Sequence, residues 1–424
     1  MKQALAPVAA LLISVSILLT GQGLQGALLP MRATLENFSP VAVGAMGAAY
    51  FFGFTLGCLK AGELVRRVGH VRVFLSMTAL ASAAPLVHAL VVIPWPWGLL
   101  RLVTGFCFAV IYVVIESWLN EQSSNENRGF VFSAYTMINL TVLAVGQMMT
   151  LLYNPSGIEL FAIASVLVSL AAIPVALSVS PSPEVPQSAK VDLPKLFRVS
   201  PTGAFGCLVT GLANGAFWSL VPIFTFGATA DIADAAGFMT AAVIGGAIAQ
   251  WPIGVASDRI GRRPVLLAIS VFGAIAGIAL VYLSGDATLK LLFLLAAAWG
   301  AVAFPLYAIA VAYTNDLADP SEYVEISSAL LLVYGIGAIV GPFVASTAMS
   351  LFGSGMLFVY TAATHALLLM FAFYRFMVSS KPRHEESVEF GDALTSVQTA
   401  SQVYEEEVWQ QSDDDGPDDT ASSG

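Results

Sequence analysis

Arg101 and Glu116 fall within one long apolar run, and charges placed there are the first candidates for chemistry. Arg101, Gly105, Phe108, Tyr112 and Glu116 succeed one another at spacings of four, three, four and four, so an α-helix sets them on one stripe. A charge at membrane depth is costly and as a rule faces a cavity or a partner. The two ends of the stripe are fifteen residues apart, or ~22 Å at ~1.5 Å per residue, too far for Arg101 and Glu116 to pair directly. Arg101 lies toward the outer end of its helix and suits an anionic or zwitterionic solute. Glu116 lies toward the inner end, where it could carry a proton, act as a gate residue, or simply anchor the helix at the interface.

Composition says which solvent holds such a helix. The chain is 57% hydrophobic and 11% charged, against about 25% charged in soluble domains, and its mean hydropathy is +0.79. Apolar runs recur near the ~20 residues that a helix needs to cross ~30 Å of hydrocarbon. They do not alternate as barrel strands do, so the expected fold class is all-α, with twelve transmembrane helices. Apolar windows and breakers place these near 5–30, 38–62, 72–93, 97–119, 129–153, 157–178, 203–226, 234–256, 264–283, 288–313, 324–350 and 355–377. Six-helix bundles are expected at 1–178 and 203–378, with a linker at 179–202 and a disordered acidic tail at 379–424. The net charge of −10 belongs to that tail, because Met1 to Met377 holds 16 basic and 16 acidic residues. No basic stripe for nucleic acid is present.

An even number of spans puts both termini on one side of the bilayer. That side collects fifteen Lys and Arg residues, and the other has Arg32, Arg101 and Lys290. By the positive-inside rule the termini, linker and tail are cytoplasmic. The halves also repeat. A shift of 192 sets Pro30, Gly62, Arg67 and Gly69 over Pro222, Gly254, Arg259 and Gly261. A shift of 195 sets Gly105, Asn120, Glu121, Ser133 and Gly146 over Gly300, Asn315, Asp316, Ser328 and Gly341. Duplication of this kind points to two bundles around a central site.

The loop after the eighth run reads Gly254-Val-Ala-Ser-Asp258-Arg259-Ile-Gly261-Arg262-Arg263. It resembles the G-x-x-x-D-R-x-G-R-R signature of the major facilitator superfamily, which that family carries between helices 2 and 3 and again between 8 and 9. The first-half copy, Gly62-Glu-Leu-Val-Arg66-Arg67-Val-Gly69-His70, has Arg66 where the family has aspartate. Arg101-Leu-Val-Thr-Gly105 resembles the family's fourth-helix motif, linked there to proton coupling. Glu116-Ser-Trp-Leu-Asn120-Glu121, with Leu332-Val-Tyr334-Gly-Ile-Gly337, looks like the YcaD-like bacterial branch. The fifth helix has Gly146-Gln147 where proton-coupled drug exporters carry Gly-Pro, which weakens a multidrug-efflux reading.

The resemblance implies two pseudo-symmetric bundles forming a secondary transporter in a bacterial plasma membrane. It would move a small organic substrate by alternating access, with protons as the coupling ion. It also implies a cytoplasmic gate in which each loop copy meets a helix start across the seam. The signs then pair Arg66 or Arg67 with Glu322 or Glu325, and Asp258, beside Arg259 and Arg262, with Arg128. Cavity candidates on helices 1, 4, 7 and 10 are Gln22, Gln25, Arg101, Tyr112, Asn214, Trp218, Trp299 and Tyr307, with Tyr135, Asn139 and Tyr334 behind them. Any single amide could instead be helix–helix glue. His88 and His365 fall on helices usually peripheral in this fold and read as structural. No Walker sequence, metal-ligand cluster or nucleophile–base arrangement is present, so neither an enzyme nor a cofactor is expected. A monomer in the bilayer is expected. The alternative is a non-transporting receptor or scaffold, which a plugged cavity would favour over a wet one lined by Arg101, Gln22 and Asn214.

Overall fold

The computed structural model describes residues 9–123, 128–177, 191–284, 288–319 and 322–378. The acidic tail and half of the expected linker lie outside them. Among the described residues the regular structure is helical throughout, and twelve helices are long and apolar enough to cross a bilayer. They are α1 Ala9–Leu35, α2 Pro40–Val68, α3 His70–Leu90, α4 Pro94–Glu121, α5 Arg128–Met148 and α6 Glu159–Ala176 in the first half. The second half holds α7 Pro201–Thr229, α8 Asp234–Ile260, α9 Arg262–Leu283, α10 Leu289–Asn315, α11 Tyr323–Phe352 and α12 Met356–Val378. A short helix, Leu193–Val199, precedes α7.

Local chemistry sets the ends. Ser39 and Ser200 cap α2 and α7, accepting from the N–H groups of Ala42 and Gly203 at 3.2 Å, and each cap is followed by proline at the first helical position. Gly69 and Gly261, the motif glycines, stand at φ +84° and +92° in the α2–α3 and α8–α9 turns, a conformation that L side chains resist. The sixth helix is interrupted at Ala171, and the tenth helix is not continuous either. It breaks at Phe304, since Pro305 has no N–H and its ring crowds the preceding turn.

The repeat seen in the sequence is a repeat of packing. Gly105 of α4 abuts the backbone of Tyr50 in α2, and Gly300 of α10 abuts Ala242 in α8 at the equivalent register. Each half therefore closes its own helix pairs with small residues, as membrane bundles do where backbones approach.

The halves meet along α2 with α7 and α11, α5 with α8, and α1 with α7. Their contact is uneven along the seam. At the end that carries the α1–α2 and α7–α8 loops, one apolar cluster runs through both halves, from Leu28, Val43 and Met46 to Phe217, Leu220 and Met349. At the other end, which carries the α2–α3 and α8–α9 loops and the short helix, the core is split. Leu19, Phe108 and Val114 belong to a cluster confined to the first half. Leu196, Ile326 and Leu330, and separately Leu266 and Ile309, belong to clusters confined to the second. We call these the fused end and the linker end.

Candidate substrate cavity

A cavity of about 530 Å³ lies between the halves, walled by residues from both. At the fused end it is stopped by close backbone packing. Gly44 of α2 faces Pro342 and Ser346 of α11, and Gly47 faces Ser219 of α7. The Thr240 hydroxyl of α8 donates to Gln147 Oε1 of α5 at 3.3 Å, a second tie across the seam. Toward the linker end the wall continues through Cys58, Leu59, Gly62, Ser328 and Val191, and Leu59 is half exposed there. The cavity therefore mouths toward the linker end.

The first-half wall is organised around α1, α2 and α4. Gln22 Nε2 donates to the Tyr50 hydroxyl at 3.0 Å, and the Tyr112 hydroxyl donates to Gln22 Oε1 at 2.8 Å. The Arg101 guanidinium carbon sits 4.0 Å from the centroid of the Tyr50 ring, a cation–π contact. No carboxylate pairs with Arg101 among the described residues. The second-half wall is aromatic and amide. The rings of Trp218 and Phe304 stack with centroids 5.6 Å apart and planes 10° apart, and those of Tyr307 and Tyr334 meet edge-on at 5.1 Å. Gln25 and Asn214 are both buried on the wall, and Gln25 Nε2 and Asn214 Oδ1 have no hydrogen-bond partner.

Seven of the expected residues thus meet on one surface: Gln22, Gln25, Arg101, Tyr112, Asn214, Trp218 and Tyr307, with Asn139 and Tyr334 beside them. Three are placed elsewhere. Trp299 is buried against Phe217, ring on ring at 4.5 Å, inside the second-half core. Glu116 is fully buried within the first half, with the Tyr135 hydroxyl 3.4 Å from Oε1, and neither lines the cavity. On a helix packed on several sides, stripe spacing alone does not say which neighbour each member meets. Tyr50, Phe54, Gln147 and Phe304 are wall residues that helix order did not suggest. A signal existed for α2, where Gly53 and Gly57 mark the face against α4 and leave Tyr50 and Phe54 beside it.

The charges expected at a gate have other partners. Arg67 pairs with Glu63 of its own helix at 2.6 Å. Glu322 and Glu325 both hold the Lys195 ammonium, at 3.0 and 2.6 Å, and raise its pKa above the ordinary lysine value. The pairs expected across the seam from Arg67 to Glu322 or Glu325 are absent because the halves are parted at that end. Arg66 and Arg259 are exposed. Asp258 pairs with Arg262, which is buried and also reaches Asp316 at the end of α10, 3.2 Å away. The Arg128 side chain, and with it the expected Asp258–Arg128 pair, lies outside the described residues. His88 and His365 each bond a carbonyl one turn back at 2.7 Å, those of Ala84 and Thr361, and are buried in packing.

The family model of the Major Facilitator Superfamily matches residues 11–229 and 203–410. The chain belongs to this superfamily. Among its relatives, this facilitator is 28% identical over 366 residues to an uncharacterized MFS-type transporter of Enterobacter sp. strain 638, covering 86% of this chain and 94% of that one. It is 27% identical over 366 residues to the uncharacterized MFS-type transporter YcaD of Escherichia coli, with the same coverage. The crystal structure of the nucleoside transporter NupG matches with a TM-score of 0.75 at 14% identity, covering 88% of this chain and 100% of that one. A bacterial homologue of the human lysosomal transporter Spinster, in an inward-facing and occupied conformation, matches with a TM-score of 0.70 at 14% identity, covering 87% and 95%. Identities this low speak to the fold. The protein is a multi-pass membrane transporter with two six-helix bundles.

Proposed function

We propose that the protein is a secondary carrier that moves a small organic solute, anionic or zwitterionic, across the bacterial plasma membrane by alternating access, coupled to protons. The observation that carries this reading is the uneven seam: one apolar core fused across both halves at one end, and separate cores around a cavity mouth at the other. The sidedness of Lys and Arg assigns the linker end to the cytoplasm, so the state described is open inward. A wall carrying Arg101, Gln22 and Asn214 favours a carrier over a scaffold with a filled seam. In the opposite state Arg66 or Arg67 would take Glu322 and Glu325 from Lys195 and shut the cytoplasmic gate. Exposed pairs of this kind contribute only ~0–1 kcal/mol each, which suits a gate that opens repeatedly. Glu116 is kept as the candidate proton carrier, acting from behind the wall through Tyr135.

Paired spin labels test the cycle directly. In a variant lacking Cys58, Cys107 and Cys207, one pair at Val68 and Phe197 reports the linker end, and another at Asn37 and Leu351 reports the fused end; all four positions are exposed. Changing pH from 5 to 8 in proteoliposomes should lengthen one distance while shortening the other. A single unchanging distribution at both ends would sink the carrier reading.

A further inference from the structure

We infer that the cargo is an organic monoanion with a flat apolar body, its carboxylate on Arg101 and its body against Trp218 and Phe304. This rests on the carrier reading and goes beyond it by choosing among charge types. Arg101 is the sole charged side chain on the cavity wall among the described residues. Its contact with the Tyr50 ring uses none of its five N–H donors, so these remain for an oxyanion.

Charge balance then decides. A neutral solute would leave a partly buried guanidinium unmatched, and a zwitterion would bring an ammonium to a wall with no carboxylate. Burying an unpaired charge is the costlier arrangement in both cases. A phosphate monoester carries −1.5 to −2 charges near neutrality, more than one guanidinium offsets. One carboxylate matches one Arg101.

The repeat shows that this polarity is built into one half. Shifts of 192 and 195 set Tyr50 and Arg101 over Ala242 and Ala296, while the amide and hydroxyl pair Gln22 and Tyr112 falls over Asn214 and Tyr307. Both halves therefore supply uncharged hydrogen-bonding groups, and only the first supplies charge. The reverse holds for the aromatic platform. Trp218 falls over Gly26, where even a Cβ would meet nothing within 4 Å. A solute lying across the seam finds a cation and open space on one side and stacked rings on the other. The accessible hydrogen-bonding groups beside Arg101 on the wall are those of Gln22, Tyr50 and Tyr112. A cavity of about 530 Å³ admits a body of one or two rings.

The test uses the full chain in nanodiscs at pH 7 and three probes sharing one ring system: 1-naphthaleneacetate, its amide, and 3-(1-naphthyl)alanine. Equilibrium dialysis should show the acid bound at least about tenfold more tightly than the amide or the amino acid, as a charge-assisted hydrogen bond supplies. Arg101→Gln should remove that preference and leave amide binding in place, and Arg101→Lys should keep part of it. Should Arg101→Gln fail to fold, Trp218→Ala serves instead, expected to weaken acid and amide alike and leave their ratio intact. Equal binding of acid and amide, preference for the amino acid, or no binding of any probe at millimolar concentration would overturn the inference. Spin-label distances on the same preparation separate the two ideas. A protein that alternates without preferring the acid sinks the monoanion alone; one that prefers the acid and never alternates sinks the carrier alone.

Discussion

Gly44→Ala should move this protein out of the state described and toward the one open at the fused end. A Cβ on Gly44 would lie 2.6 Å from the Pro342 carbonyl oxygen and 2.6 Å from Ser346 Cβ, and nearer still to the Ser346 hydroxyl. Real Cβ contacts stay above 3.0 Å, so α2 and α11 must part by at least 0.4 Å there. The Ser346 hydroxyl cannot simply swing away without giving up its bond to the Phe343 carbonyl, 3.1 Å long. Overpacking of this kind costs ~1–3 kcal/mol. The cost falls only on the state in which this end is shut, because Gly44 faces the opposite half. At about 1.4 kcal/mol per factor of ten, the population should shift roughly 5- to 150-fold toward closure of the linker end. Spin labels at Val68 and Phe197, read as a distance distribution, measure that closure. Gly105→Ala is the control, since its Cβ would strike the Tyr50 carbonyl carbon at 2.9 Å within one half in either state; it should lower thermal stability and leave the distribution where it was. If Gly44→Ala lowers stability but does not shift the distribution, the rigid-half picture fails.

Lys195→Gln frees Glu322 and Glu325 from their partner on the short helix. It should raise the fraction closed at the linker end by about fivefold at most for each exposed pair lost, seen with the same labels. Arg66→Glu and Glu325→Arg should each impair transport alone, and the double reversal should restore it; a double variant no better than either single one would count against the gate pairing. Arg262→Gln removes the buried partner of Asp258 and Asp316. It should lower the melting temperature in detergent, though by less than breaking a fully buried pair would, because the carboxylates left behind keep partial contact with water. Tyr50→Phe keeps the ring under Arg101 and loses the bond from Gln22. It should change affinity for an anionic probe less than Tyr50→Leu, which loses both.

Much of this protein is legible in its sequence, because lipid imposes strong local rules. A helix must be long and apolar to cross, so twelve runs could be counted, and a duplicated sequence meant duplicated packing, as Gly105 over Tyr50 and Gly300 over Ala242 bear out. Turn glycines were readable for the same reason: Gly69 and Gly261 stand at positive φ where the motif copies put them. Residue type also marked Arg101, Gln22 and Asn214, since polar groups at membrane depth need water or a partner. Contacts between helices distant in sequence decided the rest. Glu116 and Arg101 share a stripe, yet one is enclosed by its own half and the other looks into the seam. Trp299 and Phe304 stand five residues apart on α10 and so leave it in different directions, but only packing decided that Phe304 reaches the wall and Trp299 the core. Glu322 and Glu325 meet Lys195 of the short helix rather than a charge of the first half, a pairing that depends on how the chain packs and not on local sequence. Local propensity fixes each helix; only the summed packing across the seam fixes what each side chain faces.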